Sequence, residues 1–175
     1  MDKIDPSRRS LNMSHIRSTG TNPERIVRSA LFKRGYRFRV NYKRIPGRPD
    51  ITLPKYRAVI FVNGCFWHGH EDCINFHLPA SRTEFWKKKI EGNIERDRKE
   101  YEELEAMGWR ICIVWECRLR GRNETVSIDK EIDRIENWLK SFQKTRLEIR
   151  SENTHKGNRL SSSIAAEPMP EFGKK

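Results

Sequence analysis

The sequence predicts an α/β fold in which helices flank a small mixed sheet. Residues 58–62 are a continuous apolar run, and residues 109–115 are apolar except for Arg110; such runs are typical of strands covered on both faces. Between these runs, apolar side chains in residues 85–107 recur with helical spacing, and they do so again in residues 127–142. The order helix, strands, long helix, strand, helix therefore predicts helices packed around one sheet.

The first third of the chain contributes one helix and two short strands to this prediction. The helix is expected to begin with Asn22 as its cap, to carry Pro23 in its first helical position, and to end at Gly35. Residues 36–40 alternate polar and apolar side chains, and residues 50–53 form a short hydrophobic run that opens on an acid. Both segments are predicted strands.

Composition divides the chain into three segments. Residues 1–20 form a basic arm with weak periodicity, and residues 21–142 contain the predicted helices and strands. Within that domain, residues 81–84 match a capping box and mark the start of the long helix. From 143 to 175 the periodicity stops and Ser, Asn, Lys and Pro become frequent, so residues 143–175 are predicted to be a flexible basic tail.

The charge balance favours a polyanionic partner. The 175 residues include 36 Lys and Arg against 24 Asp and Glu, a net charge of +12. Each phosphate that such a protein neutralises on a nucleic acid releases condensed counterions, although a soluble basic protein without such a partner is the alternative. No stretch is apolar enough to span a membrane and no signal-peptide pattern is present, so we expect a cytoplasmic protein with no membrane partner.

A short segment after the first buried strand concentrates metal-ligating side chains. Cys65, His70 and Cys73 are three of the four ligands that a tetrahedral zinc ion takes, and Cys117 could be the fourth. Four cysteines in a cytosolic chain favour metal or core thiols over disulfides. The spacing alone does not decide whether His68 or His70 is the imidazole ligand. Buried thiols and a surface histidine are the alternative for the whole set.

Asp50 suggests a metal-dependent nuclease. An acid that opens a strand after Pro-Gly-Arg-Pro, a dozen residues before a hydrophobic strand, is the layout of many such enzymes, in which the carboxylate holds Mg²⁺. The usual acid and lysine are missing from residues 60–64, so His68 is the nearest candidate base and Glu24 a candidate second carboxylate. The alternatives are a turn role for Asp50, a zinc ligand at His68, and helix-dipole stabilisation by Glu24.

Phe66 and Trp67 lie in a glycine-flanked loop beside the expected metal ligands. Core packing is the usual role of such rings. A loop held by a metal is also rigid enough to push an aromatic wedge between base pairs. Because unstacking costs least where pairing is weak, a protein with this wedge would favour mismatched or damaged DNA.

Five blocks of the sequence resemble the very short patch repair (Vsr) DNA mismatch endonucleases, and the likeness runs from about Ser10 to Gly121. The blocks are residues 46–50, 64–68, 82–86, 93–97 and 108–117. The resemblance implies a restriction-endonuclease-like fold of the PD-(D/E)xK type with a structural zinc site. It also implies Mg²⁺-dependent nicking of one DNA strand, 5′ of the thymine in a T:G mismatch left by deaminated 5-methylcytosine.

The resemblance also implies roles for particular residues. Asp50 would ligate Mg²⁺ with help from the backbone carbonyl of Val62. His68 would be the general base, supported by Glu24. The implied zinc ligands are Cys65, His70, Cys73 and Cys117. The implied DNA contacts are Phe66, Trp67 and Trp86 beside the mismatch, Lys89 and Asn93 on the mismatched bases, and Met13 and Ile16 from the opposite groove.

This chain departs from the family pattern in two places. Asn63 stands where some members have a second histidine, and it is carried as a candidate catalytic residue. An amide can hydrogen-bond a phosphate oxygen but cannot hold a positive charge or transfer a proton, so a slower or more metal-dependent reaction is expected. One extra residue between His70 and Cys73 is expected to be absorbed by a flexible turn.

The resemblance further implies particular partners and a location. Double-stranded DNA with a T:G mismatch would be the substrate, a mismatch-repair mediator protein and a cognate cytosine-5 methyltransferase would be associated proteins, and a monomer is expected. We expect the protein in the bacterial cytoplasm, associated with the nucleoid when on DNA. Two alternatives to this function are open. The protein could be a restriction-type endonuclease that cuts paired DNA, usually as a dimer, or a non-catalytic zinc DNA-binding module. The latter would leave Asp50 and His68 without a purpose.

Overall fold

One five-stranded mixed sheet organises the protein in a computed structural model that describes residues 19–119 and 124–150. The strands lie in chain order across the sheet. They are β1 (Arg39–Val40), β2 (Ile51–Leu53), β3 (Ala58–Asn63), β4 (Arg110–Trp115) and β5 (Arg146–Ile149). The pairings of β1 with β2 and of β2 with β3 are antiparallel, whereas β3, β4 and β5 run parallel to one another. The predicted α/β class with a mixed sheet is confirmed.

Three α-helices of the described residues cover both faces of this sheet. They are α1 (Asn22–Lys33), α2 (Thr83–Ala106) and α3 (Glu124–Ser141). Side chains that alternate along β3 and β4 enter two separate cores, as strand geometry requires. Ile60 and Cys112 pack with α1 and α3, while Phe61 and Ile113 pack with α2 and the segment that follows β3. None of the described helices is long and apolar enough to cross a membrane.

The helix starts differ from the sequence prediction. Thr21, not Asn22, caps α1, and it forms a reciprocal capping box with Glu24. At α2 the predicted capping box is wrong, because the helix begins at Thr83 and the N-cap residue Arg82 makes no side-chain capping hydrogen bond. The hydroxyl of Thr83 instead donates to the carbonyls of Pro79 and Ala80. Helix α3 begins three residues earlier than predicted, at Glu124.

The predicted flexible tail is wrong for residues 146–149, which form β5. This strand pairs in parallel with β4, and Ile149 is fully buried. Four residues with two charged side chains give too short a pattern to reveal a strand, and the neighbouring buried β4 is what selects it. Residues 151–175 and most of the predicted arm, including Met13 and Ile16, lie outside the described residues.

Candidate active site and metal centre

The parallel pairing of β3 and β4 brings two ligand-bearing segments to one edge of the sheet. Asn63 at the end of β3 lies opposite Trp115 at the end of β4, so the segments after both strands start side by side. The backbone N–H of Cys65 donates to the Glu116 carboxylate at 3.1 Å and ties these segments together. Cys117 lies in the short 3₁₀ turn Glu116–Arg118 after β4, within reach of the thiols that follow β3.

Cys65, His70, Cys73 and Cys117 converge in one cluster. Their ligand atoms all lie within 4.8 Å of one another, and three of the four residues are buried. Nδ1 of His70 lies 3.3 Å from the Cys65 sulfur and 3.6 Å from the Cys117 sulfur. The structure therefore brings together the four residues that the resemblance named, with His70 and not His68 in the cluster. Three thiols and an imidazole at this separation suit a tetrahedral metal ion.

The surroundings of the cluster hold its imidazole in place. The ring of Trp115 stacks on His70 with centroids 4.0 Å apart and planes only 3° from parallel. The indole N–H of Trp115 in turn donates to the Glu148 carboxylate of β5 at 2.7 Å. The pKa of the Cys65 thiol is raised, chiefly by its hydrogen bond to Cys117 and then by burial, and burial also raises the pKa of Cys73. A metal that binds here must displace these protons.

Asp50 lies directly before β2, and its carboxylate faces the end of β3. Its Oδ2 accepts the backbone N–H of Val62 at 2.7 Å. The guanidinium of Arg28 donates to the Asp50 carbonyl at 3.1 Å and pairs with Glu24 at 2.7 Å. Burial raises the pKa of Asp50 to about 6, and nearby Glu24 raises it while His68 lowers it. Burial and the neighbouring Glu24 thus disfavour the charged form of the Asp50 carboxylate, and a bound cation would stabilise that form.

Glu24 stabilises the start of α1, which is the structural alternative to a catalytic role for this residue. Its carboxylate accepts the backbone N–H groups of Gly20 and Thr21 and the Thr21 hydroxyl at the start of α1. Its side chain is only 4% exposed and is also paired with Arg28. Glu24 therefore both caps the helix and places a negative charge beside Asp50.

His68 has a partner that sequence reasoning missed. Its Nδ1 lies 2.5 Å from Oδ2 of Asp97, which is 9% exposed near the middle of α2. We expected residues 96–100 to be a solvated helix face, but Asp97 belongs to the buried stripe of α2, with Ile90 and Tyr101. An acid seven residues after one buried apolar position and four before another is the signal that could have found it.

Asn63 is buried and turned away from solvent. Its amide N–H donates to the Tyr101 hydroxyl at 3.1 Å, and the residue is 4% exposed. This hydrogen bond ties the end of β3 to α2. Burial raises the pKa of Tyr101, which stays a neutral hydrogen-bonding partner.

Phe66, Trp67 and Trp86 form a compact group of partly exposed rings, termed here the ring cluster. The three centroid distances are 5.2, 5.4 and 6.0 Å, and every pair meets at a steep angle. Lys89 is exposed one turn along α2, and the Asn93 amide donates to the Trp67 carbonyl at 2.9 Å. The chain that carries the first two rings is thereby anchored to α2.

Gly69 allows this anchoring. Its φ of +59° suits glycine, and a Cβ at this position would lie 2.6 Å from Cδ1 of Ile94 on α2. One short loop, residues 64–70, therefore presents two rings of the cluster, the His68 base candidate and two of the metal-ligand candidates against the same helix.

Comparison with known proteins assigns this chain to a family. A sequence model of the family described as DNA mismatch endonuclease Vsr matches residues 1–75. The DNA mismatch endonuclease Vsr of Escherichia coli strain K12 is 46% identical over 138 residues, which cover 79% of this chain and 87% of that protein. The type II nicking enzyme V.XorIIP of Xanthomonas oryzae pv. oryzae is 49% identical over 118 residues, or 67% of this chain and 86% of that enzyme. The type II nicking enzyme V.NmeAIP of Neisseria meningitidis is 48% identical over 121 residues, or 69% of this chain and 86% of that enzyme. This chain is therefore a hydrolytic endonuclease and belongs to the DNA mismatch endonuclease Vsr family.

Proposed function

We propose that this protein nicks one strand of duplex DNA on the 5′ side of the thymine in a T:G mismatch, as a monomer. The observation that carries the proposal is the arrangement of loop 64–70. This loop places the base candidate His68 near Asp50 and holds Phe66 and Trp67 in the ring cluster. A single hydrolytic site with an adjoining wedge suits the cutting of one strand where pairing is already weak.

Asp50 and the backbone carbonyl of Val62 are the proposed ligands of Mg²⁺. Oxygen donors are the ligands that this ion prefers, and the buried carboxylate near Glu24 is an environment that a cation would stabilise. The ion would supply charge stabilisation on the phosphate during hydrolysis. Arg28 holds Glu24 and the Asp50 backbone in fixed positions, so the carboxylates do not drift apart.

His68 is the proposed general base, and Asp97 is the residue that positions it. We assign the proton to Nδ1, in the 2.5 Å contact with Asp97, which leaves Nε2 to accept a proton from water. As Nε2 takes this proton, the water oxygen bonds to phosphorus and the bond to the leaving sugar oxygen breaks. Asp97 then stabilises the imidazolium that has formed, as the carboxylate of a catalytic triad does.

The ring cluster is the proposed wedge, with Phe66, Trp67 and Trp86 entering the stack beside the mismatch. Lys89 and Asn93 project from the same helix and are proposed to contact the mismatched bases. Met13 and Ile16 are proposed to approach from the opposite groove. A zinc ion held by the thiol and imidazole cluster would fix the loop against its neighbours, which keeps the cost of ordering the wedge low.

The test uses labelled duplexes that carry one T:G mismatch or a T:A pair, in several flanking sequences, with Mg²⁺. We expect a single nick 5′ of the mismatched thymine and an intact T:A duplex. Asp50→Ala should abolish cutting but keep binding, whereas Asp129→Ala, which changes an exposed aspartate on α3, should cut normally. Cutting of both strands in the T:A duplex would indicate a restriction-type enzyme. Binding of T:G duplexes without cutting would indicate a non-catalytic module.

A further inference from the structure

We propose that Arg82, stacked on Phe85, binds a backbone phosphate of the DNA next to the ring cluster. Neither residue was among the expected DNA contacts. The inference rests on the proposed function in one respect: it takes the ring cluster as the part of the surface that meets the duplex.

Phe85 extends the ring cluster outward. Its centroid lies 5.3 Å from that of Trp86, with the two planes 78° apart. The side chain is 48% exposed, so it belongs to neither buried core. With the ring cluster taken as the surface that meets the duplex, this exposed ring adjoins the bound DNA.

Arg82 covers the outer side of this ring. Its guanidinium carbon lies 4.6 Å from the Phe85 centroid, and the residue is exposed. Within residues 19–119 and 124–150, its guanidinium has no hydrogen bond and no carboxylate at ion-pair distance. Arg98 on the same helix differs, because Glu95 and Glu102 both pair with it. The positive charge of Arg82 is thus available to an external anion.

The backbone of Arg82 points to the same conclusion. Its φ of +55° and ψ of 39° lie in the left-handed region, which is disfavoured for residues other than glycine. The residue occupies the N-cap of α2, where Ser, Thr, Asp or Asn would cap the helix, yet it makes no side-chain cap. Neither the backbone conformation nor helix capping therefore favours an arginine at this position.

The chemistry suits a phosphate. A planar guanidinium can stack on an aromatic face and still present parallel N–H donors that match two phosphate oxygens. The stack on Phe85 restricts the long side chain before DNA arrives, so less conformational entropy is lost on binding. A phosphate contact carries no base identity, so Arg82 should add affinity for mismatched and paired DNA alike.

The test compares Arg82→Gly with Arg98→Ala, which removes the same charge from a paired arginine elsewhere on α2. Glycine fits the positive φ, so the melting temperature of Arg82→Gly should not fall below that of the wild type. Dissociation constants are measured without Mg²⁺, on T:G and T:A duplexes, over a range of salt concentrations. We expect Arg82→Gly to weaken binding to both duplexes roughly tenfold and to lower the salt slope by about 1. Arg98→Ala should stay within about twofold of the wild type.

Two further variants test the stacked geometry. Arg82→Lys keeps the charge but loses the planar fork, and Phe85→Leu removes the ring; each should weaken binding about two- to fivefold. The inference is overturned if Arg82→Gly binds like Arg98→Ala, if it weakens only the T:G complex, or if Arg82→Lys equals the wild type. If wild-type protein shows no preference for T:G, the proposed function fails, yet the loss of affinity in Arg82→Gly can still be measured on paired DNA.

Discussion

Replacing Asp97 with Asn should slow DNA cleavage without weakening DNA binding. The side chain keeps its size and stays within hydrogen-bonding distance of His68, but it loses the negative charge. Nδ1 of His68 lies 2.5 Å from Oδ2 of Asp97, and the Asp97 side chain is 13% exposed, so solvent screens this contact little. In the proposed mechanism, the charge therefore acts directly on an imidazole that becomes positive as it takes a proton from water.

The size of the effect follows from this contact. A hydrogen bond to a charged group contributes about 1.5–3 kcal/mol, and every 1.36 kcal/mol corresponds to a tenfold change in rate. If the contact is fully used when the imidazolium forms, kcat should fall by about 10- to 150-fold. The dissociation constant for DNA should hardly change, because Asp97 is largely buried and offers no donor to a phosphate.

Single-turnover cleavage of a T:G duplex, with enzyme in excess, measures this step without product release. Thermal melting and zinc content should be recorded alongside, since a slow variant that has also lost its fold is uninformative. Asp129→Asn is the matched control, because it removes the same charge from an exposed site on α3. Wild-type single-turnover rates in a folded Asp97→Asn protein would refute the role given to the His68–Asp97 pair.

Three other changes test the metal centre, the wedge and the loop that joins them. Cys117→Ser should lower both bound zinc and melting temperature, while Cys112→Ser, in the other core, should cost stability but keep the metal; metal analysis and thermal melting separate the two outcomes. Trp86→Ala should reduce affinity for T:G duplexes by about 5- to 150-fold, the equivalent of about 1–3 kcal/mol for one stacked base, and equal loss on T:A duplexes in titrations would contradict a wedge. Gly69→Ala should lower stability by about 1–3 kcal/mol in denaturant unfolding, because its Cβ would meet Ile94 at 2.6 Å; an unchanged midpoint would show that the loop can shift freely.

Strong periodicity made the central elements predictable from the sequence. The apolar run at 58–62 and the long periodic segment at 85–107 correspond to β3 and α2, because burial on both faces or along one stripe leaves a clear pattern. The first residues of the helices were less predictable. Thr21 caps α1 one residue earlier than expected, since neighbouring Thr and Asn are both good caps and only the position of Glu24 in space decides between them.

The candidate metal-ligand cluster was largely predictable from the sequence, whereas the proposed catalytic pair of His68 and Asp97 was not. Cys65 and Cys73 are close in the chain, so their spacing alone indicated a metal, whereas the choice of His70 over His68 needed the resemblance and then the geometry. Asp97 was missed because charged neighbours on α2 mask it, and only the packing of loop 64–70 against that helix makes it a partner of His68. The spacing of Asp97 from Ile90 and Tyr101 could have indicated its burial, but only the tertiary structure shows that it contacts His68.

Mapping the break at single-nucleotide resolution on a T:G duplex, with wild type and His68→Ala in Mg²⁺, tests the proposed mismatch-specific nicking. We predict one break, immediately 5′ of the mismatched thymine, made by the wild type alone, with both proteins bound to the duplex. Breaks of the same position and rate in His68→Ala, or breaks that ignore the mismatch, would contradict it.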